Sequence, residues 1–100
     1  MEVPMRREEA LRILREHKTE LDAMDVRSLS VFGSVARDEA GPESDVDLLV
    51  EFARPVGFFH FFGVQEQLEK WLKRRVDLVT PGGLKRQLRD QILAEAVRAA

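Results

Sequence analysis

The sequence predicts a layered domain of alternating helices and strands, α/β or α+β, in the order α-β-α-β-α-β-α. Three observations predict it. Long stretches repeat apolar residues at helical spacing, and short runs between them are rich in β-branched and aromatic types. Glycine and proline clusters separate the two kinds of segment.

The first helix is expected from Arg6 to about Met24, where Ala10, Leu11, Leu14 and Leu21 recur among charges. Ser28 to Phe32 reads as a strand that ends at Gly33. A short helical turn follows from Ser34 to Glu39 and closes at Gly41-Pro42. Val46 to Phe52 is the clearest strand. Phe58 to about Lys73 is the second long helix, with Phe61, Val64, Leu68 and Leu72 on one face. Arg75 to Val79 is a third strand, stopped by Thr80-Pro81-Gly82-Gly83. From Leu84 to the end, Leu84, Leu88, Ile92 and Ala96 repeat every four residues, widened by Leu93 and Val97, and predict a last helix.

Composition narrows the function. One hundred residues suffice for one domain, residues 1–100, with no room for a separate substrate domain. A net charge of -2 argues against a dedicated nucleic-acid binder. Cysteine is absent, so disulfide and thiolate-metal frameworks are excluded. No apolar signal segment or membrane-length run is present, and a cytoplasmic location is expected.

The acids carry the chemistry. Asp45 and Asp47 flank Val46 at the start of the clearest strand, and side chains two apart on a strand share a face. Val46, Leu48 and Val50 then face the core. Two carboxylates about 4 Å apart repel by roughly 4 kcal/mol at an effective dielectric near 20, a cost a bound cation removes. Paired hard oxygens suit Mg²⁺. Asp77 sits among apolar residues in the third strand. If that strand neighbours the Asp45/Asp47 strand, three acids converge as a two-metal phosphoryl or nucleotidyl transfer site requires. Taken alone, an Asp-x-Asp at a strand edge reads as turn chemistry.

The turn before it changes that weighing. In Phe32-Gly33-Ser34 a strand meets a short helix. Gly33 permits close backbone approach, the helix start offers free N–H groups to phosphate, and Ser34 adds a hydroxyl. Arg37, one turn on, could reach the same anion or brace the acidic strand. By itself this is an ordinary turn with Ser34 as N-cap. Followed by Ser44-Asp45-Val46-Asp47, it is far more specific.

Together, Val31-Phe32-Gly33-Ser34-Val35-Ala36-Arg37 and Ser44-Asp45-Val46-Asp47-Leu48-Leu49-Val50-Glu51-Phe52 resemble the polymerase-beta-type nucleotidyltransferase superfamily, and within it the minimal nucleotidyltransferase branch. Arg75-Val76-Asp77-Leu78-Val79 is similar to that family's third-carboxylate strand. The resemblance implies an α+β nucleotidyltransferase fold, a small mixed sheet flanked by helices. It implies that Gly33 and Ser34 hold the triphosphate, with Arg37 as phosphate contact or support. It implies that Asp45, Asp47 and Asp77 bind Mg²⁺, two ions in all, and that Asp77 helps deprotonate an acceptor hydroxyl. The donor implied is ATP. Asp38 departs from the glycine often found after the arginine.

The resemblance further implies a HEPN-domain toxin as partner, in a hetero-oligomeric toxin–antitoxin pair. The chain would act as antitoxin by adenylylating that partner, on a tyrosine hydroxyl, or by masking it through contact alone. The HEPN signature needs a tyrosine, and this chain has none, so the chain would be the transferase half. A small-molecule transferase is the third reading, disfavoured by length.

Two clusters have ordinary readings. Phe58, Phe59, Phe61 and Phe62 are expected mainly as core packing, with some left for an adenine pocket or a partner surface. Lys70, Lys73, Arg74 and Arg75 read as a solvated helix end.

Overall fold

The computed structural model describes residues 3–100. Its elements are α1 (Arg7–Glu16), α2 (Lys18–Ala23), β1 (Val26–Phe32), α3 (Gly33–Ala36), β2 (Val46–Phe52), α4 (Phe58–Leu72), β3 (Val76–Val79), a 3-10 turn (Pro81–Gly83), α5 (Arg86–Glu95) and β4 (Val97–Arg98). The strands form one sheet in the order β3-β2-β1-β4. β1 runs antiparallel to β2 and β4, and β2 runs parallel to β3. The sheet is therefore mixed, and the class is α+β.

Alternation along β2 sets the layers. Val46, Leu48 and Val50 are buried on one face, with Leu29 and Val31 of β1. Leu11 and Leu14 of α1 and Val64, Leu68 and Leu72 of α4 join them in one core cluster. The opposite face carries Asp47 and, through the β2–β3 register, Asp77. Apolar burial thus holds rigid the strands that bear the acids.

Four departures from the expected elements have local causes. The first helix breaks at His17, whose ring stacks on Trp71 with centroids 4.0 Å apart. β1 begins at Val26 instead of Ser28. A register irregularity between Val26 and Ser28 breaks the alternation that the sequence pattern relies on. The last helix starts at Arg86 and stops at Glu95, without reaching the end. Beyond it the chain extends and pairs with β1, with Ala99 N–H bonding the Leu29 carbonyl at 2.8 Å. An otherwise open β1 edge takes up these backbone groups, which outweighs helical spacing in the last residues. Finally, Leu88 and Leu93 of the expected apolar stripe are exposed, and α5 has no buried residue.

Asp38 adopts left-handed backbone with φ 57°. That explains why glycine suits this position. Here the aspartate gives something in return: its Oδ1 accepts the Arg7 N–H at 2.7 Å and caps the start of α1.

Candidate active site

The three acids reach one end of the sheet, where β2 and β3 begin, by different routes. Asp47 is the second residue of β2 and is half-buried. Asp77 is its direct register partner on β3 and is exposed. Neighbouring strands lie about 4.8 Å apart, so these two side chains stand next to each other on the open face. Asp45 is exposed just before β2, where the Val46 N–H bonds the Arg75 carbonyl at 2.9 Å. A groove of about 380 Å³ opens beside Asp45, lined also by Ser44, Lys73, Arg74 and Arg75. Part of the basic stretch therefore shares a groove with Asp45. Arg74 is also structural, since its Nη1 donates to the Pro42 carbonyl at 2.9 Å.

Crowding of like charge shows in the central acid. Asp47 is pushed up from an ordinary aspartate near 3.8 to about 6, first by burial and then by the charges of Asp77 and Asp45. Glu95 adds to the repulsion and Arg37 opposes it. Among the described residues no three Asp, Glu or His side chains close on one point as a finished metal cage. Magnesium keeps several waters and substrate oxygens and takes only one or two carboxylates per ion. The donor set is thus of the right kind, hard and anionic, with room left for water and phosphate.

The glycine turn sits directly on Asp47. Phe32 pairs with Asp47 across the β1–β2 ladder, so the next residue, Gly33, passes over the carboxylate. Gly33 has φ +72°, and a Cβ built there would lie 2.1 Å from Asp47 Oδ2. Only glycine fits. Ser34 follows, half-buried, and Arg37 ends the turn with an exposed guanidinium.

One residue of this neighbourhood was not expected. Glu95 Oε1 accepts the Gly33 N–H at 3.0 Å, and Oε2 accepts an Arg37 Nη1–H at 3.0 Å. The bond to Glu95 holds Arg37 still more firmly protonated. A signal for Glu95 exists in the sequence. It falls seven residues after Leu88 and three after Ile92, an acid on the apolar stripe of its helix.

The aromatic cluster lies elsewhere. Only Phe61 is partly buried; Phe58, Phe59 and Phe62 are 79%, 95% and 55% exposed. Core packing therefore accounts for one of the four. The cluster meets the far end of β2 through Phe52, five residues from Asp47 and on the core side of the sheet. At about 3.3 Å per residue Phe52 is roughly 17 Å along β2 from Asp47. His60 donates to the Met24 carbonyl at 2.6 Å, a structural role.

Comparison with known proteins gives the family. The sequence profile of the nucleotidyltransferase domain family matches residues 12–99. Protein adenylyltransferase MntA of Thermococcus cleftensis is 43% identical over 91 residues, covering 90% of this chain and 92% of that protein. A solved structure provisionally named a minimal nucleotidyltransferase is 39% identical, with a TM-score of 0.78 over 93% of this chain and 95% of the other. The same fold occurs, at 17% identity and a TM-score of 0.64, in a structure of the tri-AMPylated Shewanella oneidensis HEPN toxin in complex with MNT antitoxin. That match covers 90% of this chain and 71% of the other.

Proposed function

Because this chain belongs to the nucleotidyltransferase domain family, we propose that it transfers AMP from ATP to a hydroxyl of a partner protein. Enzymes of this family act on nucleoside triphosphates with a divalent metal. The observation that carries the reading here is the Asp47–Asp77 register pair with the Gly33 turn seated on Asp47. Acids and an anion-binding turn are brought within one nucleotide's reach.

In this reading Asp45, Asp47 and Asp77 hold two Mg²⁺ ions. Bound there, the metal would neutralise triphosphate charge and ease deprotonation of the attacking hydroxyl. Gly33 gives the phosphate chain clearance over Asp47. The Ser34 hydroxyl and the Arg37 guanidinium donate to phosphate oxygens, stabilising charge that grows on the departing pyrophosphate. Asp77 stands exposed on the open face, where an acceptor hydroxyl has room to approach and give up its proton. The acceptor comes from outside, because nothing in the fold near the acids forms an enclosed acceptor pocket among the described residues.

The partner proposed is a HEPN-domain toxin, in a hetero-oligomeric toxin–antitoxin pair, with a tyrosine hydroxyl as acceptor. The MntA relative and the AMPylated HEPN complex support this. So does the exposed Phe58, Phe59 and Phe62 patch, of a kind that marks protein contacts. The described helices include none long and apolar enough to cross a membrane, and cytoplasmic action is part of the proposal.

The test incubates the chain with labelled ATP, Mg²⁺ and a HEPN protein encoded beside it. Label is expected on the HEPN protein, and it should vanish with Asp45→Asn combined with Asp47→Asn. Label that persists in the double variant would remove the metal assignment. The aromatic patch also favours a second reading, an antitoxin that masks its partner by contact. Neutralisation without any label would establish that reading instead.

A further inference from the structure

Glu95 links parts of the chain that are far apart in sequence. Its two carboxylate oxygens reach the first residue of α3 and the arginine that ends it, each at 3.0 Å. A bond to an ionised carboxylate is stronger than one between neutral groups. The Glu95 side chain is only 23% exposed, whereas Arg37 is 44% exposed. Glu95 is therefore the fixed member of the pair.

The backbone under Glu95 is anchored as well. After Ala96 the chain enters β4, which pairs with Ser30 and Val31 of β1. β1 is the strand that delivers Gly33. Glu95 and the turn it holds are thus tied to the same piece of sheet. On its other side Gly33 rests on the Asp47 carboxylate. The turn thus bonds one acid, Glu95, and passes close to a second, Asp47.

We infer that Glu95 is a positioning residue of the nucleotide site, holding the Gly33–Ala36 turn and the Arg37 guanidinium where they meet the phosphate chain of a nucleoside triphosphate. The inference rests on the nucleotidyltransferase reading above and adds a residue to it. It also divides labour within the turn. The Gly33 N–H is committed inward to Glu95, so Gly33 serves through clearance. The Ser34 hydroxyl meets the anion, with those Arg37 N–H groups taken neither by Glu95 nor by Glu39, whose Oε2 accepts the Arg37 Nε–H at 3.5 Å. A guanidinium has five N–H donors, enough to serve a carboxylate and a phosphate together. The contrary arrangement has Glu95 occupying the phosphate's own donors, to be displaced by nucleotide. It predicts the opposite sign in the same experiment.

The experiment titrates ATP with Mg²⁺ into the chain by calorimetry, without partner, for wild type, Glu95→Ala, Glu95→Gln, Arg37→Ala and the Arg37→Ala/Glu95→Ala double variant. Loss of one charge-assisted bond to a needed donor predicts about tenfold weaker ATP binding for Glu95→Ala. Glu95→Gln keeps a neutral oxygen for the Gly33 N–H and is expected between Glu95→Ala and wild type. In the Arg37→Ala background the Glu95→Ala effect should shrink and not vanish, because one of the two Glu95 bonds is already gone and the one to the Gly33 N–H remains. A purely structural Glu95 would instead weaken binding equally in both backgrounds. Unchanged or tighter ATP binding by Glu95→Ala, or full additivity with Arg37→Ala, overturns the inference. If Glu95→Ala fails to fold by circular dichroism, Glu95→Gln alone and with Arg37→Ala carries the comparison. Wild type that takes up no ATP defeats the nucleotidyltransferase reading along with this one. Wild type that binds, with Glu95 variants alike, defeats this one alone.

Discussion

Replacing Asp47 by asparagine should make the metal-free protein more stable while removing its activity. Asp47 is raised from near 3.8 to about 6 by burial and by Asp77 and Asp45. A group whose folded value is raised binds its proton more tightly in the native state. Stability is then fully present below about pH 4 and is lost as pH rises through about 6. The full displacement corresponds to at most about 3 kcal/mol. Asp47 is only half-buried and water screens part of the repulsion, so roughly 1–2 kcal/mol is the expected gain. For a chain of this size that is a melting temperature about 5–15 °C higher for Asp47→Asn near pH 8 without metal. The advantage should shrink through about pH 5 and be gone near pH 4. Mg²⁺ should raise the melting temperature of wild type more than that of the variant. Thermal denaturation by circular dichroism, in chelator and in Mg²⁺ across that pH range, measures all of this. A variant less stable than wild type at about pH 8, or a difference independent of pH, would refute the picture of mutually repelling acids around Asp47.

Other substitutions probe the supporting parts. Gly33→Ala places a methyl 2.1 Å from Asp47 Oδ2 at φ +72°, so a loss of about 2–4 kcal/mol is expected by chemical denaturation, together with loss of ATP binding. Asp38→Ala keeps the left-handed strain and loses the Arg7 cap, costing about 1 kcal/mol in the same assay. Asp38→Gly relieves the strain as it loses the cap and should stay within about 0.5 kcal/mol of wild type. Serine at Phe58, Phe59 and Phe62 together should change the melting temperature little, since these rings are exposed. The same triple variant should weaken capture of the HEPN partner at least about tenfold in a pull-down titration; unchanged capture would move the interface elsewhere.

Some of this molecule is written in local pattern. The Val46–Phe52 alternation tells which face is core and puts Asp45 and Asp47 on the other, because strand periodicity needs no tertiary information. Phe58–Leu72 was equally plain, since its stripe of Val64, Leu68 and Leu72 is the face that is buried. The spaced Gly33-Ser34 and Asp45/Asp47 pieces identified the family because their order along one chain is itself specific.

What the pattern could not carry depends on partners distant in sequence. Whether Asp77 joins Asp47 rests on β3 lying parallel to β2 in one register, and a shift of one residue would have turned it to the other face. The end of α5 is helical by spacing and becomes strand because β1 offers unpaired backbone groups that only the assembled sheet presents. Glu95 becomes a neighbour of Gly33 and Arg37 for the same reason. Period and composition act over a few residues, whereas register, edge pairing and the clamp on Gly33 exist only once segments sixty residues apart have packed together.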